Sequence, residues 1–407
     1  MKEKIESDNL SFINPFNVLG PTNPKYFANR DDLLSTFFYN VIAVNKSRGI
    51  TRPVNISITG NWGMGKTSTL LKFKDMLMSP GKDINVFSAI VHLSPECCVN
   101  SETFFLTIME GVFREYQSTV DLPQKIRDFM RKELDIFEKW KVVLSLNPTL
   151  ERKDPPPLRG IDFRYTMKTF WDKLHASGIG LVVIMLDDIQ NALSSDGNAD
   201  RLIDLRTNIQ ALTIAEARYM FIITGPSNIY PDIRDKAEPF TRIFERFDLG
   251  PFDLEGTRQL IEKPLKVEGI DLVIENDVIE MIYEITGGHP YYLNMTMREV
   301  LYRVRKGRLT MKDFKAIYPA MMEQFARVRF RDDLGRASEA EKRLLFQIAA
   351  AGDPEVSPSD FKGSGTSRML DRLVRKDLII KASRGKYRLY NPLFKEYLRR
   401  LDPGREY

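Results

Sequence analysis

The sequence predicts an α/β protein in which a parallel sheet carrying a phosphate-binding P-loop is followed by an α-helical segment and a C-terminal winged helix. Three observations carry that prediction. Residues 54–59, a short β-branched strand pattern, run straight into Gly60-Asn61-Trp62-Gly63-Met64-Gly65-Lys66-Thr67, which fits G-x-x-x-x-G-K-[ST]. A continuous apolar run at 181–186 ends in Asp187-Asp188. Beyond residue 252 the apolar spacing is helical, until two alternating strands at 378–381 and 386–390 flank Ser383-Arg384-Gly385.

Residues 68–78 lack Gly and Pro and set Leu70, Leu71, Phe73 and Leu77 at helical spacing, so strand, loop and helix come in the order the motif needs. Gly60 and Gly65 let the backbone turn and aim its N–H groups inward, and the helix start at Ser68 adds its positive dipole end toward a phosphate. Lys66 is expected to reach the β/γ-phosphates of a nucleotide and the Thr67 hydroxyl to ligate Mg2+. The competing reading, a glycine turn followed by chance by Lys-Thr, leaves the flanking strand and helix unexplained.

Next come a strand at 84–93 and a helix at 101–116, with Phe104, Phe105, Ile108, Met109 and Val112 on one side. A charged helical stretch at 124–140 leads to a segment at 151–160 whose three prolines break any regular element, read as an insertion or connection. A helix at 163–175 precedes the strand at 181–186, and a further buried strand at 219–223 ends in Thr224-Gly225-Pro226-Ser227. Continuous apolar strands separated by helices indicate a parallel sheet covered on both faces.

A carboxylate at the C-terminal end of a buried strand lies on the sheet edge where ligands bind in such folds. Asp187 is therefore the candidate Walker B residue that holds magnesium through water, and Asp188 the candidate base or water-positioning group. The plainer reading makes the pair a polar strand end or the N-cap of the helix that follows. Thr224 or Ser227 is expected to sense the γ-phosphate or hold the attacking water, against a turn by composition alone.

At 407 residues, 43% hydrophobic and 28% charged, the chain has ordinary globular composition and room for two or three domains. No window is apolar enough for a membrane span, and the polar N-terminus lacks the core of a signal peptide, so a cytoplasmic location is expected. The adjacent Cys97 and Cys98 suit reduced thiols better than a disulfide framework. Residues 327–407 carry 19 Lys and Arg against 12 Asp and Glu, a net +7 in a chain of net +5; such asymmetry suits nucleic acid or an acidic protein surface.

The order of P-loop, strand ending in Asp-Asp, Thr/Ser-ended strand, then Arg246-Phe247-Asp248-Leu249-Gly250-Pro251-Phe252-Asp253 and Thr286-Gly287-Gly288-His289-Pro290-Tyr291-Tyr292-Leu293 resembles the AAA+-related archaeal-ATPase and STAND group, which is similar to the origin-recognition ATPases. The resemblance implies three parts: an N-terminal segment and P-loop ATPase domain at 1–251, a helical lid at 252–326 and a winged-helix domain at 327–407. Phe27-Ala28-Asn29-Arg30-Asp31-Asp32-Leu33 resembles the box that precedes the P-loop in these ATPases and helps enclose adenine, with Asn29 where the family usually has Gly; Asn tolerates a left-handed turn. The same resemblance implies that His289-Pro290 faces the nucleotide. The alternative is that Gly287-Gly288 ends one helix and Pro290 starts the next. Arg242 and Arg246 lie where related proteins place an arginine finger, or are surface ion-pair partners. Many active members carry Glu where this chain has Asp188, which implies slow turnover.

In the C-terminal region, helices at 338–350, 357–362 and 367–376 followed by the hairpin make a winged helix. If it binds double-stranded DNA, Ser367, Arg368, Arg372, Arg375 and Lys376 line the third helix and Arg384 and Lys386 the wing, contacting phosphates without base preference. Protein docking is the alternative use of the same shape. The leading functional reading is thus an ATP- and Mg2+-dependent switch, slowly hydrolysing, whose nucleotide state controls self-association or engagement of nucleic acid or a protein partner. The alternatives are a signalling or defence scaffold with little turnover and, third, a small-molecule P-loop kinase.

Overall fold

The computed structural model describes residues 13–47, 52–79, 84–119, 162–193, 199–361 and 365–401. The helical stretch read at 124–140 and the proline run at 151–160 lie outside these residues. The chain divides into two compact units, Arg30–Leu249 and a second made of Met1–Asn29 with Gly250–Tyr407.

The first unit is a five-stranded parallel sheet. Its strands are β1 (Asn55–Gly60), β2 (Val86–His92), β3 (Leu181–Asp187), β4 (Tyr219–Gly225) and β5 (Phe244–Leu249), in the order β2-β3-β4-β1-β5. The helices are α1 (Asp31–Lys46), α2 (Lys66–Met78), α3 (Ser101–Thr119), α4 (Phe163–Ala176), α5 (Asp200–Ile214) and α6 (Ile229–Thr241). The unbroken apolar runs follow from burial on both faces, since successive side chains alternate. Leu181, Val183 and Met185 pack with Phe37 of α1 and Phe73 of α2, whose rings stack 3.8 Å apart. Val182, Ile184 and Leu186 face the opposite way onto Phe113 of α3, Phe170 of α4 and Leu205 of α5. Edge strand β5 carries exposed Glu245, Arg246 and Asp248, charges that discourage pairing with another chain.

The second unit continues with α7 (Leu254–Val267), β6 (Leu272–Ile274), α8 (Asn276–Thr286), α9 (Pro290–Arg303), β7 (Gly307–Leu309) and α10 (Met311–Phe325). The small parallel β6-β7 pair was not expected from the sequence. A π-type turn at Ala326–Phe330 and α11 (Arg331–Gly335) keep the chain helical past residue 326. Then come α12 (Glu339–Ala350), α13 (Thr366–Arg375), the antiparallel hairpin β8 (Ile379–Ser383) and β9 (Lys386–Leu389), and α14 (Pro392–Leu401), a helix the sequence reading missed. The short second helix expected at 357–362 is a single 3-10 turn, Pro358–Asp360, closed by a Ser357/Asp360 capping box. One hydrophobic core runs through the whole unit, from Ile261 and Leu293 to Leu373 and Phe394. The N-terminal segment belongs to it: Phe16 is 1% exposed in that core, and Tyr26 Oη donates to Glu268 Oε1 at 2.7 Å. Among the described residues no helix is long and apolar enough to cross a membrane.

Candidate functional site

The loop between β1 and α2 has the shape its glycines require. Gly63 and Gly65 take φ of 78° and 92°, a left-handed backbone that disfavours any side chain. Gly60 is needed for another reason: a Cβ there would stand 3.0 Å from the Leu249 carbonyl oxygen and 3.2 Å from the Leu249 Cβ at the end of β5. Met64 is buried, and its N–H donates to Asn61 O at 3.3 Å; Trp62 is 46% exposed. Lys66 Nζ curls back and donates to the loop's own carbonyls, Gly60 O at 2.7 Å and Asn61 O at 3.1 Å. Ser68 is buried behind it in the first turn of α2.

Asp187, at the end of β3 and 2% exposed, is the hub of the polar cluster. Its Oδ2 accepts from Thr67 Oγ1 at 2.8 Å, joining P-loop to strand end, and lies 3.1 Å from His92 Nδ1. Its other oxygen accepts from the Thr224 hydroxyl at the end of β4. Burial pushes this carboxyl up, but hydrogen bonds from His92, Thr224 and Thr67 outweigh it and hold its pKa below the usual carboxylate value. The same bond raises His92 above the ordinary histidine value. Asp188 has left-handed backbone (φ 63°), its N–H donates to Thr224 Oγ1 at 3.1 Å, and its Oδ1 accepts from Gln190 Nε2 at 3.0 Å. Thr224 is fully buried, and its hydroxyl serves both aspartates, as donor to one and acceptor from the other. Ser227 instead faces Asp248, whose Oδ1 takes hydrogen bonds from Ser227 Oγ at 3.2 Å and Thr59 Oγ1 at 2.8 Å.

The structure therefore brings Lys66, Thr67, Asp187, Asp188 and Thr224 into one connected region of a single unit. Arg242 and Arg246 are elsewhere in it. Arg242 pairs with Glu238 at 2.6 Å and its side chain is 70% exposed; the Arg246 guanidinium lies 3.8 Å over the Tyr230 ring and donates to Thr241 O at 3.2 Å. Arg30, with φ of 72°, caps α1. Asn29 is left-handed at φ 61° and belongs to the second unit, where its N–H donates to Gln259 Oε1 at 3.2 Å. His289 and Pro290 are in that unit too: Gly287 is the left-handed C-cap of α8, His289 the N-cap of α9 and Pro290 its first residue, while the His289 ring packs edge-on to Tyr292 at 5.0 Å.

Of the cations proposed to meet nucleic acid, Arg372 and Lys376 are ion-paired with buried Glu341, at 3.3 and 2.7 Å. Ser367, Arg368, Arg375, Arg384 and Lys386 are exposed. The sequence reading missed His92, Gln190 and Asp248. His92 is the polar last residue of β2 and lies in register with Asp187, and Asp248 with Thr59, so parallel registers brought both to the site. Gln190 stands two residues after Asp188, in the 3-10 turn Ile189–Ala192.

No known family's sequence profile matches the chain, and no curated protein matches it in sequence. Solved structures do. The Walker-type ATPase of Pyrococcus abyssi superposes over 94% of this chain and 99% of its own, with TM-score 0.60 at 16% identity. The ORC2 protein of Aeropyrum pernix, solved in ADPNP and ADP complexes, covers 91% of this chain and 92% of its own, with TM-score 0.56 at 14% identity. At such identities the likeness is one of fold, and over nearly its whole length this chain has the P-loop fold of the Walker-type and ORC-type ATPases to which its motifs point.

Proposed function

We propose that the chain binds ATP with Mg2+ and hydrolyses it slowly, and that its nucleotide state governs what the C-terminal region engages. One observation carries this reading: the P-loop hydroxyl of Thr67 meets the buried, ionised Asp187 at the strand end, with Lys66 folded onto the same loop. Thr67 and Asp187 fit a Mg2+ ion. One hydroxyl and one carboxylate form the sparse donor set that leaves positions for phosphate oxygens and water. When bound, the ion would neutralise charge on the phosphates. The chain's own groups do the rest: Lys66 exchanges its carbonyl partners for β/γ-phosphate oxygens, the backbone N–H groups of Gly60–Ser68 cradle them, and Asp188 takes the proton of the attacking water. Thr224 sets both aspartates rather than touching phosphate itself, because its hydroxyl has no capacity left to donate.

The three-part division at 1–251, 252–326 and 327–407 belongs to this proposal. So do adenine contacts from Asn29-Arg30, a nucleotide-facing His289-Pro290, and an arginine finger from Arg242 or Arg246 acting on a neighbouring copy. The likeness to a protein solved with ADPNP and ADP supports the choice of nucleotide. For the C-terminal region the proposed partner is double-stranded DNA, met by Arg368, Arg375, Arg384 and Lys386 with Ser367. The pairing of Arg372 and Lys376 with Glu341 favours, to that extent, the second reading, a scaffold that docks protein.

The test is Mg2+-dependent ATP turnover by the purified chain, with and without duplex DNA, beside Lys66→Ala and Asp188→Asn. Turnover that DNA stimulates and both variants abolish is the expected result. ATP binding without turnover under any condition would replace the switch by the scaffold, and transfer to an added small-molecule acceptor would replace it by the kinase.

A further inference from the structure

Asp188 is held on three counts, of which the first and the last cost the fold something. Its backbone is left-handed at φ 63°, a region that non-glycine residues seldom enter and that clusters at functional sites. Its N–H is fixed by Thr224 Oγ1, and its carboxylate by Gln190 Nε2 at 3.0 Å. The third count concerns Gln190 itself. The amide turns its NH2 toward the Asp188 carboxylate, whose oxygen accepts. Its carbonyl then points elsewhere, and Oε1 is buried with no hydrogen-bond partner among the described residues. Native structures satisfy nearly all buried acceptors, and each exception calls for a reason.

We infer that Gln190 is a positioning residue for the hydrolytic step: it spends its amide on aiming the Asp188 carboxylate, at the expense of its own carbonyl. This rests on the ATPase reading above. In the step, the water oxygen bonds to the γ-phosphorus as the bond to the β,γ-bridging oxygen breaks. The water proton passes to Asp188, and ADP and phosphate leave. Gln190 touches none of the reacting atoms; it fixes the oxygen of Asp188 to which it donates, leaving the other free to receive the proton.

A residue kept for packing and a residue kept for aiming Asp188 respond oppositely to Gln190→Met. Methionine keeps the length of the side chain, removes the donor and removes the orphaned acceptor. The variant should therefore melt at the wild-type temperature or above it, and bind ATP within about twofold of wild type, while kcat falls about ten- to a hundredfold at unchanged KM. Gln190→Glu, which sets carboxylate against carboxylate, should lose more turnover still. A Gln190→Met protein that melts several degrees lower and loses ATP binding in proportion shows a packing role and overturns the inference. So does one that turns over within about twofold of wild type while Asp188→Asn is inactive, a result that leaves the ATPase reading intact. If the wild-type chain hydrolyses nothing, the hydrolytic reading and the role of Gln190 fall together; ATP binding that Lys66→Ala abolishes would preserve the nucleotide site alone.

Discussion

Thr224→Val is the sharpest test of how the site is built. Valine matches threonine in shape and deletes only the hydroxyl, at a residue with no exposed surface. Two bonds vanish: the donation to the Asp187 carboxylate and the acceptance of the Asp188 N–H. A hydrogen bond to a charged group is worth about 1.5–3 kcal/mol and a neutral one about 0.5–1.5, so the loss should lie at about 2–4.5 kcal/mol. For a unit of this size that lowers Tm by roughly 4–18 °C. Trp62, Trp140 and Trp171, the chain's three tryptophans, all fall in Arg30–Leu249, so intrinsic fluorescence reports on the unit that contains the site. Thr224→Ser keeps the hydroxyl and should recover most of the loss. A valine variant that melts within a degree of wild type, or a serine variant as unstable as the valine, would refute the two-sided bridge.

Lys376→Met leaves Glu341, a buried carboxylate in the capping box of α12, with Arg372 as its remaining ion-pair partner; a loss of about 1–3 kcal/mol is expected in denaturant melts. Glu341 also sets a pH dependence. Burial raises its pKa, but hydrogen bonds from Lys376 and Ser338 bring it below the ordinary 4.5, so its stabilisation is present above that value and lost as pH falls through the lower folded one; Glu341→Gln should flatten the acid limb of the stability curve, and an unchanged limb counts against it. Gly288→Ala places a Cβ 2.0 Å from Phe252 O at φ 68°, whereas at Gly287 the nearest atom is Pro392 Cδ at 3.2 Å, so the first variant should fail to accumulate folded and the second should melt only modestly lower. If Arg368, Arg375, Arg384 and Lys386 each meet a DNA phosphate, log K against log salt should have a slope of about −3.6, reduced by about 0.9 in Arg384→Ala; salt-independent binding would remove DNA as the partner.

What the sequence made legible is what local pattern encodes. The strand at Leu181–Asp187 and the loop before Lys66 need no tertiary knowledge, because an unbroken apolar run and glycine spacing already state two buried faces and the turn. The make-up of the second unit was less legible: helix continues past residue 326 within it through the Ala326–Phe330 turn and α11, and Phe16 joins its core from far away in sequence. His92 and Asp248 were illegible for a related reason. A strand's last polar residue acquires a role only when its register is known, and here parallel pairing sets His92 opposite Asp187 and Asp248 opposite Thr59. The fate of Arg372 and Lys376 depended likewise on Glu341, which reads in sequence as an ordinary helix-start acid.

The groups at the site serve two masters, and that explains how a fold tolerates so many polar atoms at its core. Lys66, Thr67, Thr224 and His92 all direct hydrogen-bonding groups at loop carbonyls or at Asp187, so that the loop ammonium and the buried carboxylate are both partnered within the protein. An uncompensated buried charge would cost several kcal/mol, on the order of the whole stability of a domain. On the proposed function, phosphate would bind by exchange at Lys66, whose ammonium would leave its two loop carbonyls for phosphate oxygens, whereas the Thr67 hydroxyl could offer a lone pair to an ion while its proton stays on Asp187. On that proposal the binding energy would report a difference between two well-bonded states, a near balance that suits the proposed switch, since a ligand moves an equilibrium only by its differential affinity for the two states.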